Sequence, residues 1–298
     1  MSKVIEVRQL TKLYGNVQAI KEISFSLEEG KIYGLLGRNG AGKTTLMQIL
    51  TAQIFASSGE LKVFGEVPYE NSRVLSQICF VRENQRFPEA FRVIDMLSAA
   101  ASFFPNWDQE YATALCDDFQ LPLKRRLKAL SRGMLSTVGI IIGLASRAPL
   151  TLFDEPHLGL DAVARSIFYD RLIEDYTEHM RTIVLSTHLI DEVSQMLEHV
   201  LVIDRGRLLI DEDAETLRER AFTVAGTAGK VEAFVSGKTV VAREALGGLA
   251  SVTLMGRLEA RERAQAEDLG LELAPVSLQQ LIIHLTGGAL RRKAEEIS

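Results

Sequence analysis

Eight residues, Gly37-Arg38-Asn39-Gly40-Ala41-Gly42-Lys43-Thr44, fit the phosphate-binding pattern G-x-x-x-x-G-K-[ST]. They require a strand, a loop and a helix in that order. The apolar run Ile32 to Leu36 leads in with strand-like spacing, and Thr45 to Leu50 follows with the character of a helix. A loop at such a junction points consecutive backbone N–H groups at an anion, and the helix N-terminus adds partial positive charge. Glycines let the backbone come close to the anion with no Cβ in the way. The loop, with Thr45 after it, is the expected nucleotide-binding segment: Gly37, Arg38, Asn39, Gly40, Ala41, Gly42, Lys43, Thr44 and Thr45. Lys43 can reach β- and γ-phosphates, and the Thr44 hydroxyl can ligate Mg2+.

Bulk properties set the limits around this loop. With 298 residues the chain holds one large domain or two ordinary ones. A composition of 47% hydrophobic and 24% charged residues is that of a soluble globular protein. The net charge of −5 argues against nucleic-acid binding driven by bulk charge, so no nucleic-acid partner is expected. Cys79 and Cys116 lie far apart without metal-ligand spacing, which fits a reduced cytosolic protein. The segment MSKVIEVRQL carries Glu6 and lacks the long apolar core of a secretory signal. No apolar run approaches the roughly 20 residues needed to span a bilayer. Work at a membrane would require another chain to do the spanning.

Along the chain, Val4 to Leu10, Ile20 to Leu27, Leu61 to Gly65 and Ile78 to Val81 read as further strands. From Phe87 to Arg147 the periodicity turns helical, punctuated by Pro88, Pro105 and Pro122, which predicts three or four helices. Strand–helix alternation then returns: Leu150 to Phe153, a helix over Asp161 to His179, Thr182 to Ser186, a helix over Ile190 to Leu197, and Val200 to Asp204. That alternation predicts a parallel sheet with helices on its faces. Arg205-Gly206 predicts a hairpin into Leu208 to Ile210, and a short helix over Asp213 to Arg220 closes the region. Beyond Ala221, glycines separate strand-like runs at Val231 to Val235 and Thr239 to Val241, and helices are expected over Leu258 to Asp268 and Leu278 to Leu285. The predicted organisation is a nucleotide-binding domain over 1–220, with a helical subdomain over about 87–147, and an α+β appendage over 221–298. The charged tail Arg291 to Glu296 is expected to be solvated.

Other motifs narrow the choice. The strand Leu150 to Phe153 ends in Asp154-Glu155, suited to a Mg2+ contact and to the base that polarises a water. Leu130-Ser131-Arg132-Gly133-Met134 opens a helical run, and the strand from Thr182 ends in Ser186-Thr187-His188. In this order, over roughly residues 1 to 215, the chain resembles the ATP-binding cassette (ABC) family.

The resemblance implies an α/β fold: a P-loop ATPase core with a mixed β-sheet, an inserted helical subdomain and a small C-terminal appendage. It implies ATP with Mg2+, bound between two nucleotide-binding subunits paired head to tail as a homo- or heterodimer. Carried over, Tyr14 stacks on adenine and Val17 pads the ribose. Thr44, Asp154 and Glu83 surround Mg2+. Glu155 is the base, His188 contacts the γ-phosphate, Ser131, Arg132 and Gly133 face the partner's ATP, and Asp161 belongs to the loop touching the partner. His157, His179, His199 and His284 are expected to be structural or solvated. Four positions depart from the usual pattern: LSRGM for LSGGQ, Glu83 for glutamine, His157 for Thr or Ser, and Ala162 for proline.

The implied function is the ATP-hydrolysing cytosolic subunit of a bacterial, export-type transporter, peripheral on the cytoplasmic face and bound to separate integral membrane permease subunits. A soluble ABC ATPase acting on ribosomes or DNA is the alternative. It is disfavoured because the chain has one P-loop and only about ninety residues between loop and signature, without sustained heptads. A P-loop kinase or GTPase would have no use for LSRGM or His188.

Overall fold

In the first sheet, β1 (Lys3–Tyr14) and β2 (Val17–Glu28) form an antiparallel pair, and β4 (Ser58–Val63) lies on the other edge of β1. Inward residues Ile5, Leu10, Ile20 and Leu27 are fully buried. The second sheet has the order β5-β6-β7-β3-β8-β9, with β3 (Ile32–Leu36), β5 (Ile78–Val81), β6 (Leu150–Asp154), β7 (Thr182–Thr187), β8 (His199–Asp204) and β9 (Arg207–Asp213). The pairs from β5 across to β8 are parallel, and β9 follows β8 through the two-residue turn Arg205-Gly206. Every residue of β3, β6 and β7 is buried. That is why these strands are near-continuous apolar runs rather than alternating ones. The helix α1 (Lys43–Leu50) lies between the sheets: Leu46, Met47, Ile49 and Leu50 share one core with Ile5, Leu10 and Val63 and with Leu150, Leu152, Val184 and Leu201. Each such buried aliphatic side chain contributes about 1.5–3 kcal/mol, so the loop before α1 stands on a rigid base.

The computed structural model describes residues 2–284. The expected end of the last helix at Leu285 and the tail Arg291 to Glu296 lie outside them. The chain divides into two compact units: residues 1–189 with 196–211, and residues 190–195 with 212–298. Among the described residues, no helix is long and apolar enough to cross a membrane.

In the first unit, the short α2 (Ser72–Leu75) is capped by Asn71, whose side chain accepts from Val74 N. The helical region contains α3 (Val93–Ala101), α4 (Gln109–Asp118) and α5 (Arg132–Ala145). Asp108 caps α4 by accepting from Tyr111 N at 2.7 Å. Ser131 caps α5 by accepting from Met134 N at 3.2 Å, so the first residue after the Leu130-Ser131 pair is already helical. Asp161 caps α6 (Ala162–Glu178), accepting from Ala164 N at 2.8 Å. The predicted helix over 190–197 is shorter: α7, which belongs to the second unit, spans only Ile190–Val193. Residues 197 and 198 are already committed to β3. Leu197 packs against Gly34, and Glu198 N donates to Ile32 O at 3.0 Å.

In the second unit, β10 (Ala221–Thr227), β11 (Thr239–Leu246), β12 (Leu249–Met255) and β13 (Glu272–Pro275) form an antiparallel sheet in the order β11-β12-β10-β13. Besides α7, the helices of this unit are α8 (Ala214–Arg218), α9 (Ala228–Val235) and α10 (Ala260–Leu269), and residues 278–284 are also helical. The predicted strand over Val231 to Val235 is helical, within α9. Val231, Phe234 and Val235 are buried against Phe222, Val224, Val252 and Leu254, while Glu232 and Ala233 are exposed. Burial at i, i+3 and i+4 is helical spacing, which a five-residue apolar window does not distinguish from a strand.

The first unit also holds a buried ion cluster. Asp175 on α6, 3% exposed, pairs with Arg181 and with Arg147 Nε at 3.3 Å, and Arg147 also pairs with Asp108 at 2.8 Å. Removing one partner from a buried pair strands the other charge. Asp175→Ala is expected to lose about 3–5 kcal/mol, whereas Glu66→Ala, opposite the exposed Arg73, is expected to lose less than about 1 kcal/mol. Equilibrium denaturation of the two variants checks this, and equal losses would contradict it.

Candidate functional site

Parallel register brings the site together. Asp154 at the end of β6 pairs with Ser186 on β7, and Thr187 pairs with Leu36 at the end of β3. The carboxyl ends of three strands are therefore level, beside the loop over 37–42, which is where open α/β sheets hold ligands. Gly37 takes φ 154, and a Cβ there would lie 2.2 Å from Ile203 O. No side chain fits at that position.

Lys43, 5% exposed, donates from Nζ to Gly37 O at 2.7 Å and forms an ion pair with Glu155 Oε1 at 3.1 Å. Its ammonium is thus held over the loop and against the carboxylate following β6. A cleft of about 450 Å³ opens beside it, lined by Arg38, Asn39, Gly40, Ala41, His188, Asp204 and Arg205. The N-terminus of α1 abuts β2: a Cβ on Gly42 would lie 2.8 Å from Ala19 O. The same strand begins at Val17, which pairs with Tyr14 across the hairpin. Tyr14 is 47% and Val17 66% exposed, and Lys12 Nζ lies 5.0 Å from the Tyr14 ring.

Asp154 is 2% exposed, and its Oδ1 has no hydrogen-bond partner. Burial pushes its carboxyl above the usual range, with Thr44, Ser186 and Lys43 nearby acting against that shift. Glu155 follows with φ 50, a left-handed conformation, and its N donates to Ser186 O at 3.0 Å. A non-glycine residue held there carries roughly 1–3 kcal/mol of strain. The turn gives the two consecutive carboxylates different surroundings. Glu155 Oε2 lies 2.8 Å from His188 Nδ1 and 3.5 Å from His157 Nε2. Sequence reasoning set His157 among the structural histidines. The structure places it beside Glu155, and its position two residues on was the available signal. Both cysteine thiols are pushed up to about 11 by burial, which leaves them inert at neutral pH.

Ser131, Arg132 and Gly133 open α5 in a separate cluster. A Cβ on Gly133 would lie 2.4 Å from Gly159 O, so this position packs directly on the loop that ends at Asp161. Ser136 Oγ ties the same loop by donating to Leu158 O at 2.9 Å. Arg132 donates to Glu83 Oε1 at 3.0 Å and to Asn84 Oδ1 at 3.2 Å. Two of the departures from the usual pattern therefore contact each other.

The model of the family described as ABC transporter matches residues 20–158. The chain is 28% identical over 216 residues to the ABC transporter ATP-binding protein YtrB of Bacillus subtilis (strain 168), spanning 72% of this chain and 74% of the relative. It is 30% identical over 224 residues to the bacitracin transport ATP-binding protein BcrA of Bacillus licheniformis, spanning 74% and 73%. It is 29% identical over 217 residues to the Nod factor export ATP-binding protein I of Cupriavidus metallidurans, spanning 71% of each. Among solved structures, an ATP-binding subunit of an ABC transporter matches with TM-score 0.66 and 24% identity over 72% of this chain and 92% of that one. The dimeric structure of MJ0796, a bacterial ABC transporter cassette, matches with TM-score 0.62 and 20% identity over 70% and 98%. At these identities the structures speak for the fold.

The buried Asp154, with its orphan oxygen, is a local liability. Asp154→Asn removes the buried charge at nearly constant volume. It is expected to stabilise the protein by on the order of 1 kcal/mol, raising Tm by roughly 2–4 °C. A fall in Tm would show that the charge itself supports the fold.

Proposed function

The chain belongs to the ABC transporter family as an ATP-binding, ATP-hydrolysing component, and from that premise we propose that it is the cytosolic ATPase subunit of an exporter. It works on the cytoplasmic face of a membrane, held there by separate integral membrane permease subunits. The relatives named for bacitracin transport and Nod factor export support that direction. The dimeric cassette of like fold supports a working unit of two copies.

One observation carries the reading. The Glu155 carboxylate lies between Lys43 and His188, one residue after the buried Asp154 and beside the phosphate-binding loop. When ATP binds, Lys43 exchanges its Gly37 carbonyl and Glu155 contacts for β- and γ-phosphate oxygens. This releases Glu155 Oε1 to accept a proton from the attacking water. The contact of His188 Nδ1 with Glu155 fixes the ring and leaves Nε2 for the γ-phosphoryl group. The residues also fit a Mg2+ ion. Asp154 Oδ1 is a buried oxygen without a partner, next to the Thr44 hydroxyl, and hard oxygen donors of this kind suit Mg2+. Once bound there, the ion would neutralise phosphate charge. Glu83 joins that set only by releasing Arg132. Gly37 to Thr45 cradle the phosphates, Tyr14 stacks on the adenine for about 1–3 kcal/mol by analogy with base stacking, and Val17 covers the ribose. In the head-to-tail pair, Ser131, Arg132 and Gly133 of one copy meet the γ-phosphate of the other's ATP, next to Asp161. Closing and opening of the pair drives the permease.

The test is an affinity pull-down from solubilised host membranes, with tagged Glu155→Gln protein and Mg-ATP as bait and Lys43→Ala as control. An integral membrane protein enriched over the control is the expected result. Ribosomal or chromosomal proteins without a membrane partner would contradict the transporter assignment.

A further inference from the structure

His157 is 3% exposed and directs Nε2 at the same oxygen, Glu155 Oε2, that His188 Nδ1 approaches from the solvent side. The two rings are 5.1 Å apart, tilted by 59°. The three candidate ligand atoms lie within 4.8 Å of one another. We propose that Glu155, His157 and His188 form a site for a divalent transition-metal ion of the zinc class, and that an ion bound there blocks ATP hydrolysis. The block rests on the role proposed above for Glu155; the site itself does not.

The donor set makes the distinction from Mg2+. Two imidazole nitrogens and one carboxylate oxygen, with a fourth position open to water, are a common zinc arrangement. Imidazole suits Zn2+, Co2+, Ni2+ and Cu2+, whereas Mg2+ takes oxygen ligands. The all-oxygen pair Thr44 and Asp154 therefore serves a different ion. The two donor separations from Glu155 Oε2 are near those a metal requires. Metal–ligand bonds of about 2.0–2.2 Å at tetrahedral angles set neighbouring donors roughly 3.3 Å apart. The His157–Glu155 separation of 3.5 Å is already close to this. His188, at 2.8 Å, must retreat by about half an ångström, and its side chain is 38% exposed, so it retreats towards solvent.

A supporting contact orients the buried ligand. His157 Nδ1 lies 3.4 Å from Thr187 Oγ1, which accepts from Leu189 N at 3.0 Å. With the proton on Nδ1 facing Thr187, the Nε2 lone pair faces Glu155, the way outer contacts fix the tautomer of metal-bound histidines. Lys43 occupies the other carboxylate oxygen, Oε1, at 3.1 Å, which leaves Oε2 to the metal. Its charge lowers the affinity without blocking the position. An ion on Oε2 holds the base away from water and the His188 ring away from the γ-phosphate, so binding and turnover exclude each other.

The test uses untagged, full-length, nucleotide-free protein titrated with Co2+, read by visible d–d absorption, followed by displacement with Zn2+. Turnover of Mg-ATP is measured in parallel with added Zn2+. The expected result is one Co2+ per chain with a visible band, displaced by Zn2+, and inhibition of turnover over the same Zn2+ range. His157→Ser should weaken Co2+ affinity and Zn2+ inhibition together by about tenfold or more while retaining Mg-ATP turnover. His188→Ala alters a half-exposed side chain and should give the same loss in the Co2+ titration alone. An absent band in the unmodified protein, or affinity unchanged in both variants, overturns the site. Binding that leaves turnover unaffected overturns the block. Metal-free protein unable to hydrolyse ATP counts against the function proposed above, and the Co2+ titration still decides the site.

Discussion

Parallel, in-register pairing of β6, β7 and β3 is the constraint on which the rest depends. It sets Asp154 opposite Ser186 and Thr187 opposite Leu36, so residues far apart in sequence meet beside one loop. The strands are buried on both faces, and α1 is wedged between two sheets. A shift of one residue in β6 would exchange the faces of Asp154 and Phe153, placing an aromatic ring at the site and a carboxylate in the core. The apolar core therefore fixes the position of the polar groups to within a fraction of a residue.

The charges gathered there oppose stability. Asp154 is buried with an orphan oxygen, Glu155 occupies a left-handed conformation, and Lys43 is almost wholly enclosed. Their mutual contacts offset part of this: Lys43 faces Glu155, and His188 braces Glu155. Under the proposed function, these groups exchange internal partners for phosphate oxygens without reorganising the frame. The Asp175–Arg181 cluster has the opposite character, since it joins helix to core with its charges matched.

Much of this was legible in the sequence for local reasons. The loop Gly37 to Thr44 declares itself because glycine spacing, lysine and hydroxyl each answer to one position of the phosphate-binding pattern. The strands β3, β6 and β7 declare themselves because double-sided burial makes them apolar runs. Asp161 and Ser131 sit where caps belong, although their capping role and the partner-facing role implied by resemblance fall on the same residues. What escaped was long-range or ambiguous. The Arg132–Glu83 pair joins residues 49 apart, and each had looked like an isolated departure. His157 looked structural because its burial and its approach to Glu155 exist only after folding. The run Val231 to Val235 is too short for its periodicity to separate helix from strand, and the packing of Phe234 and Val235 with Val231 decided it. The helix after His188 was overextended because nothing local shows that Glu198 is claimed by Ile32.

The central claim is that Glu155 polarises the attacking water while Lys43 holds the phosphates. Parallel measurement of ATP binding and of ATP turnover in Glu155→Gln and Lys43→Ala tests it most directly. The account predicts that Glu155→Gln binds ATP as tightly as the unmodified protein and does not hydrolyse it, and that Lys43→Ala loses binding. Sustained turnover by Glu155→Gln, or near-normal ATP affinity in Lys43→Ala, would contradict it.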